Sequence, residues 1–143
     1  MLFRSELVNG PAIQVSYNGA SGITLTGATI SGNQLNGSVA FFDVDDNGSA
    51  AMVMDRVSIS GNTKDGTGAF IECGAGVDYT AFSVSNNVAD GRISINGSSG
   101  SCTEISIINN TLEDNTANPI IYVVDCDEVN IAGNTLVAGA STT

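Results

Sequence analysis

The chain has no histidine and no tryptophan, and only four of its 143 residues are basic: Arg4, Arg56, Lys64 and Arg92. Without histidine it lacks the side chain that most often moves protons near neutral pH and that ligates many metals. Fifteen carboxylates against those four cations give a net charge of −11. No basic patch can therefore displace counterions from nucleic acid or hold an anionic membrane surface. Anionic polysaccharides are repelled unless a cation bridges them. Long apolar runs are also missing. Ile120 to Val124 is the longest in the second half, far short of the ~20 residues that span a bilayer, so membrane insertion is not expected. The opening Met1–Leu7 is too short and too charged for a signal peptide.

Helix-favouring Lys, Arg, Glu and Leu are scarce, whereas Ile, Val, Ser, Thr, Asn and 17 glycines are common. That mix favours strands joined by tight turns. Hydrophobic residues make up 42% of the chain, enough for a packed core and too many for a disordered acidic tail.

The turns and strands recur. Five segments share one pattern: Ala28-Thr-Ile-Ser-Gly-Asn33, Val57-Ser-Ile-Ser-Gly-Asn62, Phe82-Ser-Val-Ser-Asn-Asn87, Ile105-Ser-Ile-Ile-Asn-Asn110 and Val129-Asn-Ile-Ala-Gly-Asn134. Their last asparagines are spaced by 29, 25, 23 and 24 residues. A second strand lies in each interval: Ile13–Val15, Phe42–Val44, Ile71–Cys73, Ile93–Ile95 and Ile121–Val123. Alternation with period two turns the first and third residue of each inward and the middle one outward. A period of this length with alternating strands predicts an all-β chain, a right-handed parallel β-helix solenoid of about five coils. The stacked inward columns are then Ile30, Ile59, Val84, Ile107, Ile131 and Val15, Val44, Cys73, Ile95, Val123. Asn33, Asn62, Asn87, Asn110 and Asn134 become an interior ladder, each amide satisfying backbone groups freed by a sharp bend. The β-helix spans residues 12–139, residues 1–11 serve as an N-terminal cap, and residues 140–143 form a tail.

A leucine-rich repeat is the rival fold. Cys102 to Leu112 and Cys126 to Leu136 fit its consensus, but the segment that follows holds glycine clusters and another alternating strand instead of a helix.

The stretch Ser60-Gly-Asn-Thr-Lys-Asp-Gly-Thr-Gly-Ala-Phe-Ile71 resembles the repeat of polymorphic outer-membrane adhesins, in which an asparagine turn precedes a Gly-Gly-Ala-Ile strand. Phe82-Ser-Val-Ser followed by Asn86 or Asn87 resembles their Phe-x-x-Asn element. More broadly, residues 12–139 are similar to the pectate-lyase-like right-handed β-helix superfamily. The resemblance implies the fold. It leaves function open, because that fold hosts lyases, hydrolases, adhesins and phage spikes.

Candidate chemistry is sparse. Asp43-Val-Asp45-Asp-Asn47-Gly48 matches the first half of an EF-hand calcium loop, with Asp43, Asp45 and Asn47 as alternate oxygen ligands. The closing glutamate is absent: Met54 holds that position. Asp43 and Glu72 occupy equivalent outward positions on neighbouring coils, the arrangement of a carboxylate pair. Arg56 is the one candidate base of the lyase type, and beside Asp55 it also reads as a surface ion pair. Cys73 falls in a core column. Cys102 and Cys126 lie one coil step apart, within reach of a disulfide. With an odd cysteine count, reduced core thiols are the expectation. Thr29, Ser58, Ser83 and Ser106 stack outward, as do Ser31, Ser60 and Ser85, forming a flat polar face.

The expected function is a non-catalytic structural or adhesive unit, extracellular or on a cell, filament or virion surface. Calcium is its one candidate cofactor, and it self-associates as a homo-oligomer through the coil ends, with a glycan or surface partner. A carbohydrate-active enzyme or glycan-binding module is the alternative.

Overall fold

The computed structural model describes residues 2–3, 6–8, 13–17, 22–46, 52–114 and 119–138. All elements among them are β-strands, arranged as three sheets of nine, six and five strands in which neighbours run parallel. The chain visits the sheets in rotation, so strands adjacent in space come from successive circuits. The leucine-rich-repeat alternative is thereby set aside, and the fold is a parallel β-solenoid. It makes about four turns. The expected count of five coils differs because five ladder asparagines enclose four complete circuits.

The first sheet carries the repeated motif. Thr29–Ser31 pairs with Ser58–Ser60, which pairs with Ser83–Ser85, in the register Thr29↔Ser58↔Ser83 and Ile30↔Ile59↔Val84. The longer strands Cys102–Ile108 and Asp127–Ala132 continue it through Ser106 and Ile107 to Asn130 and Ile131. In the five-stranded sheet the column Val15, Val44, Cys73, Ile95, Val123 is in register throughout. Leu2–Phe3 and Glu6–Val8, within the stretch expected to be a cap, pair with Thr29–Ile30 and Gln34–Asn36 and so extend two of the sheets. Residues 140–143 lie outside the described residues.

Two corner columns explain how each coil bends. Gly32, Gly61, Asn86, Asn109 and Gly133 immediately precede the ladder asparagines and all have φ between 55° and 65°. Glycine and asparagine enter this left-handed region most readily. The other column is Gly27, Arg56, Ala81, Glu104 and Glu128, with φ of 50° to 66°. Four of these five are neither glycine nor asparagine, at a cost of roughly 1–2 kcal/mol each. Stacking with the neighbouring coils maintains them: Arg56 N donates to Thr80 O at 2.9 Å and Ala81 N to Thr103 O at 3.3 Å.

The ladder has the geometry that the repeat implied. Oδ1 of Asn62, Asn87, Asn110 and Asn134 each accepts two bonds from the preceding rung, one from its backbone N and one from its Nδ2, at 2.9–3.1 Å. The second Nδ2 hydrogen of Asn62 goes back to Ile30 O, that of Asn87 to Ile59 O and that of Asn110 to Val84 O. Two donors and two acceptor sites are thus all used on each interior amide, its full inventory. Asn62, Asn87 and Asn110 are each only 1% exposed. Around them pack Ile, Val, Met and Leu with a short aromatic stack, in which Phe41 lies 5.1 Å from Phe70 and Tyr79 stands edge-on to Phe82 at 5.9 Å.

One expectation is overturned. Cys102 and Cys126 are joined as a disulfide with their Cα atoms 4.5 Å apart, so they are not reduced core thiols. The odd count reflects Cys73, which is buried alone. Parallel stacking places residues one circuit apart at inter-strand distance with their side chains on the same face, and the two together satisfy a disulfide.

Replacing Asn87 by alanine is expected to destabilise the fold by ~1–3 kcal/mol, because buried groups on both neighbouring coils lose their partners. Chemical denaturation measures this; an unchanged midpoint would refute the ladder's role. Removing the disulfide by Cys126→Ser frees the loop that the bond closes across 24 positions and is expected to cost about 3 kcal/mol. Equal melting temperatures with and without reductant would show that the bond does not form.

Candidate functional site

A departure from regular stacking that opens a cavity lies at the corner between the six-stranded and five-stranded sheets. Ladder-adjacent inward residues Leu35, Lys64, Ala89 and Leu112 form one column, and Phe42, Ile71, Ile93 and Ile121 form the next. Between the columns, seven positions lead from Lys64 to Ile71 and nine from Leu112 to Ile121, but only four from Ala89 to Ile93. The coil with the short corner leaves a notch between its longer neighbours. Its volume is about 310 Å³, and its walls include Gly66–Ala69, Glu72, Asp90–Arg92, Glu113 and Asp114. Gly91 makes the short turn at φ 121°, and a Cβ there would run into the Gly68 carbonyl.

Lys64 stands behind this notch. It occupies an inward slot otherwise held by Leu or Ala and is 2% exposed. Its Nζ donates to the carbonyl oxygens of Gly66, Thr67, Gly68 and Asp90 at 2.5–3.3 Å. The ammonium therefore acts as a tethered cation that folds the Gly66–Gly68 loop and ties it to the next coil. Asp90 returns a contact, its Oδ2 accepting from Gly66 N at 3.2 Å. Burial pushes the Lys64 pKa below its usual 10.5, while the nearby carboxylates of Asp90, Asp65 and Asp114 act in the opposite direction. Charge composition alone gave Lys64 no role. The signal was its place two residues after Asn62, the same offset that puts Leu35, Ala89 and Leu112 inside.

On the outer wall Arg92 Nη2 meets Glu72 Oε1 at 3.3 Å. Glu72 and Asp43 are register partners on adjacent coils, followed by Ser94 and Tyr122. Each carboxylate has a partner of its own, since Asp43 Oδ2 accepts from Gln14 Nε2 at 3.2 Å. Arg56 lies far along the chain from this wall, at a corner, paired with Asp55 at 3.0 Å and with its side chain 67% exposed. Of the calcium candidates, Asp43 is half-buried. Asp45 contributes backbone to the strand Phe42–Asp46, while its side chain and Asn47 lie outside the described residues. Among the described residues, no three Cys, Asp or Glu side chains gather in a group that could hold a metal ion. Burial pushes the Cys73 thiol far up, which leaves it protonated and unreactive. No helix of the described residues is long and apolar enough to cross a membrane.

No protein-family model, no curated protein and no solved structure matches the chain.

Lys64→Met preserves length and removes the charge. It is expected to destabilise by roughly 2–4 kcal/mol, because the part-buried carbonyls of Gly66, Thr67, Gly68 and Asp90 are left without their shared donor. The lowered pKa sets the sign with pH. Between the folded-state value and 10.5 the unfolded chain binds the extra proton, so the lysine's contribution rises with pH through that window. Denaturation of both proteins from pH 8 upward should show the variant's deficit widening toward that limit. A deficit that shrinks would mean that the folded state holds the proton more tightly.

Proposed function

We propose that the chain is a non-catalytic structural or adhesive module of a cell, filament or virion surface, akin in design to the adhesin-like and pectate-lyase-like β-helices. The observation that carries this reading is continuity: among the described residues three parallel sheets and one asparagine ladder from Asn33 to Asn134 stack coil upon coil. The interior amides and the basic side chains among the described residues are already committed. The interior amides are saturated, Lys64 is held by carbonyls, Arg56 pairs with Asp55, and Arg92 pairs with Glu72. The Cys102–Cys126 disulfide supports an oxidising, extracytoplasmic location. The flat face of Thr29, Ser58, Ser83 and Ser106 supports a surface that stays soluble without strong charge.

A second reading, a carbohydrate-active or glycan-binding module, draws on the notch alone. Its volume is at the small end of ligand pockets, and carboxylates of the kind that glycosidases use line it. Assays on pectate, alginate and neutral glycans separate the two. The structural reading expects neither unsaturated products nor new reducing ends. Turnover that disappears in Glu72→Gln or Arg92→Ala would establish the second reading and overturn the first.

A further inference from the structure

At the corner between the six-stranded and five-stranded sheets, each coil turns backbone amides toward the coil that follows. Gly37 N donates to Asp65 O at 3.0 Å, Phe41 N to Ala69 O at 3.3 Å, Gly91 N to Glu113 O at 2.6 Å and Ile93 N to Ile120 O at 2.9 Å. The short corner interrupts this pattern. Gly66 N donates to Asp90 Oδ2 at 3.2 Å and Phe70 N to Arg92 O at 2.8 Å. Between those two donors lie Thr67, Gly68 and Ala69, while between Asp90 and Arg92 lies Gly91 alone. Three amides therefore front one residue, and none of the three has an acceptor among the described residues. Their direction follows from the peptide bond. The carbonyls of Gly66, Thr67 and Gly68 point at Lys64 Nζ. In a trans peptide the N–H of the same plane points the opposite way. The N–H groups of Thr67, Gly68 and Ala69 thus face away from the lysine, and all three residues line the notch.

We propose that the notch binds a short segment of a partner protein that carries a basic residue. The segment's carbonyl oxygens accept from Thr67, Gly68 and Ala69, and its cation meets Asp90, Glu113 and Asp114. It supplies from outside the backbone that the short corner lacks. The site goes beyond the structural-module reading, which needs no pocket. It differs from the glycan alternative in the ligand that it calls for.

Charge decides the sign of the partner. Glu72, Asp90, Glu113 and Asp114 line the notch with one guanidinium, that of Arg92. Arg92 is paired with Glu72 on the side of the five-stranded sheet. Asp90 and Glu113 are register partners in the six-stranded sheet, and with Asp114 they make the other side acidic. Lys64 does not offset them at the surface, because it lies behind the loop, 2% exposed and held by carbonyls. A cationic segment is attracted to this side and an anionic one repelled. Among the described residues these carboxylates do not gather into a metal-holding group, so the cation that suits them is one borne on an organic chain. A volume of about 310 Å³ is that of a small-ligand pocket, which admits a protruding segment and no folded surface.

The test titrates the full oxidised chain with acetyl-Gly-Lys-Gly-amide and follows the backbone amides by two-dimensional NMR. The expected result is a saturable shift of the Thr67, Gly68 and Ala69 signals. Affinity should fall about tenfold in Glu113→Gln, whose side chain is exposed. Inserting Thr-Gly-Ala after Gly91 gives the short corner the seven positions of the Lys64 coil and should abolish binding by filling the notch from within. Circular dichroism melting checks that this variant folds; should it fail, Glu113→Gln and the control ligands decide. Butylammonium, a cation without carbonyls, should bind roughly tenfold more weakly than the tripeptide, and acetyl-Gly-Glu-Gly-amide should leave the amides unmoved. A parent chain that shows no saturable shift overturns the proposal. So does equal binding of the glutamate peptide, or unchanged affinity in Glu113→Gln. Maltotriose moving the same amides where the lysine peptide does not would also overturn it, and would return the notch to the glycan reading.

Discussion

Each coil of this protein must bend sharply and still leave no buried backbone group without a partner. The asparagine ladder meets that constraint, and most of the architecture follows from it. Each amide binds the coil before and the coil after, so a rung is complete only when three successive coils are in register. Hydrogen bonds in such a chain polarise and reinforce one another. Register errors are correspondingly costly: a slip by one residue would move the inward apolar residues outward and detach the asparagine from both neighbours.

The ladder also accounts for what the neighbouring corner tolerates. Arg56, Ala81, Glu104 and Glu128 hold left-handed backbone with side chains that resist it. Thr26, Asp55, Thr80, Thr103 and Asp127 are register partners that each stand seven positions before their ladder asparagine. With both ends of that seven-residue span held by sheet pairing, the bend between them is imposed by its surroundings. Sequence has little influence there, and four residues outside the usual turn repertoire occupy the corner.

This division explains what could be read from the sequence. Ile30, Ile59, Val84 and Ile107, the Val15 to Val123 column and all five ladder asparagines stand out because period-two strands and a repeated turn impose the same residue type on each coil. The strained corner did not stand out, since no residue type is shared by most of its coils. Lys64 was passed over because a lone lysine resembles solvent-facing charge until its column is drawn. The disulfide was misjudged because an odd cysteine count says nothing about which pair is stacked. The notch depends on differences in corner length between adjacent coils, and motif matching does not register a shortfall of residues.

Those differences in length have a consequence of their own. One part of the circuit has a constant length of seven positions, while the corner before the five-stranded sheet varies from four to nine. The circuit therefore has a rigid side and an elastic one. Loop closure costs grow only slowly with loop length, so the elastic side can lengthen with little penalty to the sheets. Foreign peptides grafted between Gly68 and Phe70, past the Gly66–Gly68 carbonyls that hold Lys64, would be displayed at a defined height along a ruled axis, one coil spacing apart from any graft on the neighbouring turn. The molecule can in this sense serve as a measuring stick whose gradations are set by hydrogen bonds.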